Sequence, residues 1–147
     1  KKGHKVIGID TLDNGYKENL IINQEYYCDF FEKDILSDDL SFFVKTHNID
    51  FIIHLAAVSS LPYCEKYPKD CIENNVLGTL SVLEAARYNN IKNVIFASSS
   101  AVYENNTEEI LKEDLIVKPT LAYPLSKKLA EDICLSNIEK YGMNISI

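Results

Sequence analysis

Short apolar runs alternate with amphipathic stretches along the chain, a pattern typical of parallel strands joined by crossover helices. Apolar runs predict strands at residues 6–10, 51–55, 94–97 and 144–147, and a weaker run covers residues 26–28. Helical periodicity predicts helices at residues 39–46, 69–88 and 123–141. Residues 104–118 are polar without periodicity, which predicts a surface loop. The alternation as a whole predicts one α/β domain.

Composition supports a single globular domain and argues against several partners. The chain has 147 residues, of which 46% are hydrophobic, and a formal charge of −7. Without a basic stripe, a nucleic-acid partner is not expected. The four cysteines lack metal-site spacing and predict reduced, mostly buried thiols, and the scattered histidines predict no metal centre. No run is long enough for a membrane span, so we expect a cytoplasmic protein without a membrane partner.

Tyr123 and Lys127 are four residues apart at the start of a predicted helix, so their side chains share one face. An ammonium beside a phenol favours the phenolate and suits the phenol to proton transfer. The spacing alone is weak, because Tyr88 and Lys92 repeat it near a predicted helix end. The Tyr123 pair differs because serines 98–100 follow a predicted buried strand upstream of it. This combination predicts a Tyr/Lys/Ser oxidoreductase site.

Asp10 ends the first predicted strand, where a dinucleotide-binding fold places a carboxylate against the adenosine ribose. A carboxylate there would repel a 2′-phosphate, which favours NAD over NADP. The alternative is a solvated aspartate at a strand end.

Several ordered motifs together resemble one family. They are Gly8-Ile9-Asp10, Lys33-Asp34-Ile35, His54-Leu55-Ala56-Ala57, Asn75-Val76-Leu77-Gly78-Thr79, the serine run that ends at Val102-Tyr103, and the segment from Tyr123 to Lys127. In this order they resemble the extended short-chain dehydrogenase/reductases, specifically the branch of nucleotide-sugar epimerases and dehydratases. The resemblance extends over nearly the whole chain.

The resemblance implies a role for each matching residue. Tyr123 would be the acid/base, Lys127 the ligand of the nicotinamide ribose and Ser99 the hydroxyl that orients the substrate. Ser98 and Ser100 would support them. The implied NAD-binding residues are Asp10, Thr11, Asp34, Ile35, Leu55, Ala56, Ser59 and Asn75, together with Tyr123 and Lys127. A nucleotide-sugar would be the substrate, and the complete protein would form a homodimer through a four-helix bundle.

The implied fold is a Rossmann-like, doubly wound parallel sheet, of which residues 1–147 would be a partial NAD-binding domain. The glycine-rich turn that follows the first strand of the family has no counterpart, so the chain is expected to run from the second strand to about the sixth. The C-terminal substrate region is also expected to be absent. We therefore expect an inactive fragment, with a gap between the strands at residues 6–10 and 51–55.

The residues after the catalytic hydroxyl bear on the reaction. Dehydratases of the family have an Asp-Glu pair where this chain has Ser100-Ala101. The expected reaction is therefore epimerisation, in which a ring hydroxyl is oxidised to a 4-keto intermediate and reduced again. The alternatives are a dehydratase or 4-ketoreductase of the same family, or a non-catalytic NAD-binding sensor.

Overall fold

Strands and helices alternate through residues 3–22 and 25–147, which the computed structural model describes. In chain order they are β1 (Ile7–Asp10), β2 (Ile21–Ile22), β3 (Glu25–Tyr26), β4 (Asp29–Glu32), α1 (Leu40–Thr46), β5 (Phe51–His54), α2 (Leu61–Lys66), α3 (Pro68–Ile72), α4 (Gly78–Tyr88), β6 (Asn93–Phe96), α5 (Ala122–Tyr141) and β7 (Asn144–Ser146). A π-helical turn, Glu73–Leu77, joins α3 to α4, and 3₁₀ turns span Lys17–Leu20 and Ser100–Tyr103.

The parallel strands form two separate groups. β1 pairs with β4, and β6 pairs with both β5 and β7. β2 and β3 form a small antiparallel pair. Within the described residues no ladder of hydrogen bonds joins β1 to β5. The gap expected between these two strands is therefore present.

One hydrophobic core nevertheless unites both groups of strands. Ile9 of β1 and Ile52 of β5 pack against the same buried cluster, to which α1, α4 and α5 also contribute. Along β5 and β6, burial alternates: Val94 and Phe96 are buried, whereas Ile53 and Ile95 are exposed. Both groups thus contribute to one core, and the side chains on the opposite face of β5 and β6 are exposed in the described chain.

The weaker strand predicted at residues 26–28 was correct only at Tyr26, which belongs to the short antiparallel β3. Tyr26 and Tyr27 are exposed, and the parallel strand begins at Asp29. β4 has only four residues, with an acidic residue at each end, so its hydrophobic signal is weak. The predicted helix at residues 69–88 is present, but the π-helical turn within it and α2 before it were not predicted.

α4 and α5 have apolar residues on an outer face as well as in the core. Leu83 is almost completely buried, whereas Leu80, Leu125 and Leu129 are each more than a third exposed. Leu80, Leu125 and Leu129 therefore lie on the outer face of these two helices and not in the core. α5 ends as predicted at Gly142, whose φ of +64° and N–H bond to the Ile138 carbonyl form a left-handed cap.

Candidate active site

Side chains after the strands meet the first turn of α4. At the end of β5, His54 Nε2 lies 3.0 Å from Thr79 Oγ1. Ile35, which follows β4, packs so closely on Gly78 that an added Cβ would lie 2.5 Å from its Cδ1. Because Ile35 follows one group of strands and His54 ends the other, the carboxyl ends of both groups lie at one edge. Ligands bind at this edge in open α/β sheets.

Lys127 projects from α5 to the end of β6. It is only 4% exposed, and its Nζ donates to the Ala97 carbonyl oxygen at 2.6 Å. The ammonium also lies 4.7 Å from the centroid of the Phe96 ring. Burial lowers the pKa of Lys127, with Cys134 and Glu131 acting in the opposite direction. A buried cation therefore stands directly beside the serine run.

Neighbouring serines after β6 have different partners. The Ser98 hydroxyl donates to Glu131 Oε1 on α5. The Ser99 hydroxyl instead accepts from the Ala101 N–H at 3.2 Å and caps the 3₁₀ turn. An accepting hydroxyl retains its own hydrogen for donation. Ser98 is thus committed to fixing α5, whereas Ser99 can still donate to a ligand.

Tyr123 is the second residue of α5 and is partly buried. Lys127 follows it by one helical turn, and the 3₁₀ turn capped by Ser99 packs against the same helix. The distance between the Ser99 and Tyr123 hydroxyls stays a prediction. Tyr88, by contrast, is 65% exposed at the end of α4, just before the amino end of β6. It therefore lies away from the cleft at the carboxyl end of β6.

Asp10 and Asp34 form similar turns after their strands. Asp10 Oδ1 accepts from the Leu12 N–H at 2.7 Å, and Asp34 Oδ1 accepts from the Leu36 N–H at 2.8 Å. Both side chains are exposed, and each carboxylate has a second oxygen. Thr11 donates to Asp13 Oδ2 at 2.8 Å. The turns leave both carboxylates oriented and accessible.

The predicted cofactor residues differ in exposure. Leu55 is 69% exposed and Ser59 is also exposed, as suits a channel wall. Ala56 packs against the core, and Ile35 belongs to it. A side-chain contact from Ile35 to a bound ligand would need that side chain to leave the core.

Asn75 is 1% exposed, and its carboxamide faces the protein interior. Its Oδ1 accepts from the Val58 N–H at 2.7 Å, and its Nδ2 donates to the Val58 carbonyl at 2.9 Å and to Ser126 Oγ at 2.9 Å. Ser126 in turn donates to the Tyr123 carbonyl at 2.7 Å. Asn75 therefore links the loop after β5 to the start of α5, which the sequence did not reveal. Its predicted contact with NAD stays a prediction.

His54 is a buried titratable group that is joined to Asn75 through Thr79. The Thr79 hydroxyl donates its hydrogen to the Asn75 carbonyl at 2.6 Å, so we assign the remaining bond as His54 Nε2–H donating to Thr79. Burial lowers the pKa of His54 to about 4, and the charge of Lys127 adds to the effect. His54 is neutral at physiological pH and serves to hold β5 against α4.

Two carboxylates hold the backbone just before Tyr123. Glu104 accepts from the N–H groups of Thr120 and Leu121, and Glu65 accepts from the Ala122 N–H. The sequence contained one signal of this arrangement, because an apolar Leu121 at the N-cap cannot cap α5 with its own side chain.

The described residues give no sign of a metal centre or a membrane helix. No group of three or more His, Cys, Asp or Glu side chains in this part of the chain could hold a metal ion. All four cysteines are free thiols, and three of them are buried. None of the described helices has the length and apolar composition to cross a membrane.

Comparison with known proteins identifies the family of the chain. The model of the NAD dependent epimerase/dehydratase family matches residues 1–147. The chain belongs to this family. A UDP-glucose 4-epimerase of Lactobacillus helveticus is 30% identical, over 90% of this chain and 39% of the relative. The UDP-N-acetylglucosamine 4-epimerase of Methanobrevibacter ruminantium M1, solved with UDP-N-acetylmuramic acid, is 35% identical with a TM-score of 0.88. That match covers 96% of this chain and 45% of the neighbour.

A second solved structure is the UDP-glucose 4-epimerase of Brucella ovis in complex with NAD. It is 28% identical with a TM-score of 0.88, and the match covers 97% of this chain and 43% of the neighbour. The chain therefore has the Rossmann-type α/β fold of these epimerases and spans less than half the length of the relatives described here. Membership in the family supports the predicted resemblance, the NAD cofactor and the enzyme class.

Proposed function

We propose that the complete protein containing this chain is an NAD-dependent nucleotide-sugar 4-epimerase. The observation that supports this most is the buried Lys127, which lies at the carboxyl end of β6 and follows Tyr123 by one turn of α5, in a chain of the epimerase/dehydratase family. UDP-sugars are named for the related epimerases, so a UDP-sugar is the proposed substrate class.

The described residues fit part of an NAD molecule. Asp10 offers an exposed carboxylate oxygen to an adenosine ribose, and Lys127 offers N–H donors beyond the one on Ala97 to the nicotinamide ribose. Leu55 and Ser59 would line the path between them. Glycine-rich backbone that could cradle the pyrophosphate is not among the described residues, so the fit concerns the two riboses. When bound, NAD accepts a hydride from the sugar and returns it.

Each catalytic side chain has a distinct task in this proposal. Tyr123 is the acid/base: its phenol oxygen takes the proton from the sugar 4-hydroxyl as the ring carbon is oxidised, and gives it back on reduction. Ser99 donates a hydrogen bond to the developing ketone oxygen. Lys127 would hold the nicotinamide ribose beside these two hydroxyls. Rotation of the 4-keto sugar between the two steps would present its other face and invert the centre.

The segment after Ser99 favours epimerisation over elimination of water. Ser100 and Ala101 provide no carboxylate, and Glu104, the next acidic residue, binds backbone N–H groups through Oε1. Elimination would therefore lack the carboxylates that dehydratases of the family have at these two positions. A product with an inverted C4 and no loss of water would support this proposal, whereas a 4-keto-6-deoxy sugar would indicate a dehydratase.

The test compares Tyr123→Phe with Tyr88→Phe in the complete protein. Both tyrosines precede a lysine by four residues, but Tyr88 lies outside the cleft. Y123F should lower kcat by about 10²- to 10⁴-fold while bound NAD remains stoichiometric, because only proton transfer is lost. Y88F should retain full activity. Interconversion of UDP-sugars by Y123F at the wild-type rate would exclude the mechanism, and NAD binding without turnover by the wild type would indicate a sensor.

The proposal includes a cytoplasmic homodimer. The exposed Leu80, Leu125 and Leu129 on α4 and α5 would meet their counterparts in a four-helix bundle, and free thiols suit a reducing compartment. Sedimentation of the complete protein at micromolar concentration should give a dimer, and L129E should shift it toward monomer. A wild-type monomer would contradict the proposed assembly.

A further inference from the structure

The backbone that leads into α5 is held by side chains from elsewhere in the chain. Leu121, at the N-cap, has no polar side chain, so it cannot satisfy the first N–H groups of the helix. Glu104 Oε1 accepts from the N–H groups of both Thr120 and Leu121, the latter at 2.9 Å. Glu65 Oε1 accepts from the Ala122 N–H at 2.6 Å. Three successive N–H groups directly before the proposed acid/base are thus fixed by two carboxylates.

Glu104 also lies next to the other half of the catalytic site. It directly follows the 3₁₀ turn, Ser100–Tyr103, that Ser99 caps. One carboxylate therefore connects the segment of Ser99 to the segment of Tyr123 across 16 residues of sequence, and the Thr120 hydroxyl adds a further bond to it at 3.2 Å.

The two residues after Glu104 extend this connection. Asn105 Nδ2 donates to the Lys118 carbonyl at 2.8 Å, and Asn106 Nδ2 donates to the Ile116 carbonyl at 3.2 Å. The side chains of residues 104, 105 and 106 thus bind the backbone of residues 120, 118 and 116 in turn. These bonds close the base of the loop between Asn106 and Ile116.

The charge of Glu104 suits it to this place. Burial raises the pKa of Glu104, but the bonds from the backbone N–H groups of Thr120 and Leu121 lower it, and the net shift is downward. Bonds from N–H groups to a carboxylate are stronger than neutral ones, and the positive end of a helix favours an anion. The second oxygen, Oε2, is buried without a hydrogen-bond partner in the described structure, so Oε1 makes the connection.

We infer that Glu104 is a positioning residue that sets the separation of the Ser99 and Tyr123 hydroxyls, with Glu65 fixing the adjoining N–H group. This inference rests on the proposed function. Proton transfer needs hydrogen-bond contact, and a displacement of about 1 Å can cost about 10²-fold in rate.

The experiment compares E104A, E104Q and E108A in the complete protein. E104A should lower kcat per bound NAD by about 10- to 100-fold and change the KM for the UDP-sugar by less than about threefold, because proton transfer is impaired rather than binding. The carboxamide introduced by E104Q retains Oε1 as an acceptor, so this variant should recover most of kcat. Glu108 is an exposed carboxylate of the same loop, and E108A should behave as wild type.

Three kinetic outcomes would overturn the inference. E104A with a lowered melting temperature but wild-type kcat per bound NAD would show a structural role only. E104Q as impaired as E104A would show that charge, not the position of the acceptor, matters. Should E104A fail to fold, E104D replaces it: its carboxylate is withdrawn by one methylene, so kcat should fall, and full kcat would be contrary to the inference.

A measurement independent of activity separates this inference from the proposed function. If the wild type fails to interconvert UDP-sugars, the function is wrong, and hydrogen exchange then tests the connection alone. The amides of residues 120 and 121 should exchange faster in E104A than in wild type, with E108A unchanged. Equal exchange in E104A and wild type would mean that Glu104 does not hold the start of α5.

Discussion

Replacing Asn75 with alanine should destabilise the protein and loosen both sides of the cleft. The change removes the acceptor of the Val58 N–H and the donors to the Val58 carbonyl and to Ser126. A buried polar group left unpaired costs about 1–3 kcal/mol. Val58 is only partly buried, so leaving its N–H and its carbonyl unpaired should each cost an amount near the lower end of this range. With the cavity left at a residue 1% exposed, the loss should be about 2–4 kcal/mol.

Urea denaturation of the complete protein measures this loss. The dependence of the free energy of unfolding on urea concentration should have the same slope in both proteins, so that the shift in midpoint reports stability alone. Asn144→Ala is the matched control, because Asn144 makes one exposed side-chain bond, to Asn93, and should cost less than about 0.5 kcal/mol. N75A should also weaken NAD binding, since Ser59 follows the freed Val58 loop. A loss for N75A no greater than for N144A would refute the assignment of Asn75 as the link between the β5 loop and α5.

Three further changes test the surroundings of the site. Folding lowers the pKa of His54 from 6.5 to about 4, so its full contribution to the free energy of unfolding is present above pH 6.5, and about 3 kcal/mol of it should be lost as the pH falls to 4. In urea titrations at several pH values, His54→Gln should make the free energy of unfolding less dependent on pH. The same pH dependence in H54Q and wild type would contradict this. Gly78→Ala should lower the free energy of unfolding by about 1 kcal/mol, because the clash of the new methyl group with Ile35 costs more than the gain in helix propensity. Wild-type stability of G78A would show that the Ile35 side chain moves aside. Burial raises the pKa of Cys64 and of Cys134 to about 12, so both thiols should stay protonated at pH 8 and react slowly with iodoacetamide in the folded protein. Mass spectrometry measures the labelling, and rapid labelling of either cysteine would contradict this.

Local sequence determined the elements and the order of the chemical groups. The strands at β1, β5, β6 and β7 and the helix α5 lie within a few residues of their predicted positions, because each has a continuous pattern of its own. β4 was misplaced because four residues with charged ends give too little pattern. The spacing of Tyr123 and Lys127 on one helix face also follows from sequence alone, since helical periodicity is local.

Only the tertiary structure determined which distant residues these elements bring into contact. The inward orientation of Asn75 depends on the Val58 backbone, 17 residues away, and the start of α5 depends on Glu65, 57 residues before Ala122. The number of residues between two positions in the sequence does not say how far apart they lie in the folded chain. Pairing of distant backbone groups with buried side chains is settled only when the chain packs, because every buried donor and acceptor needs a partner and packing determines which one is near.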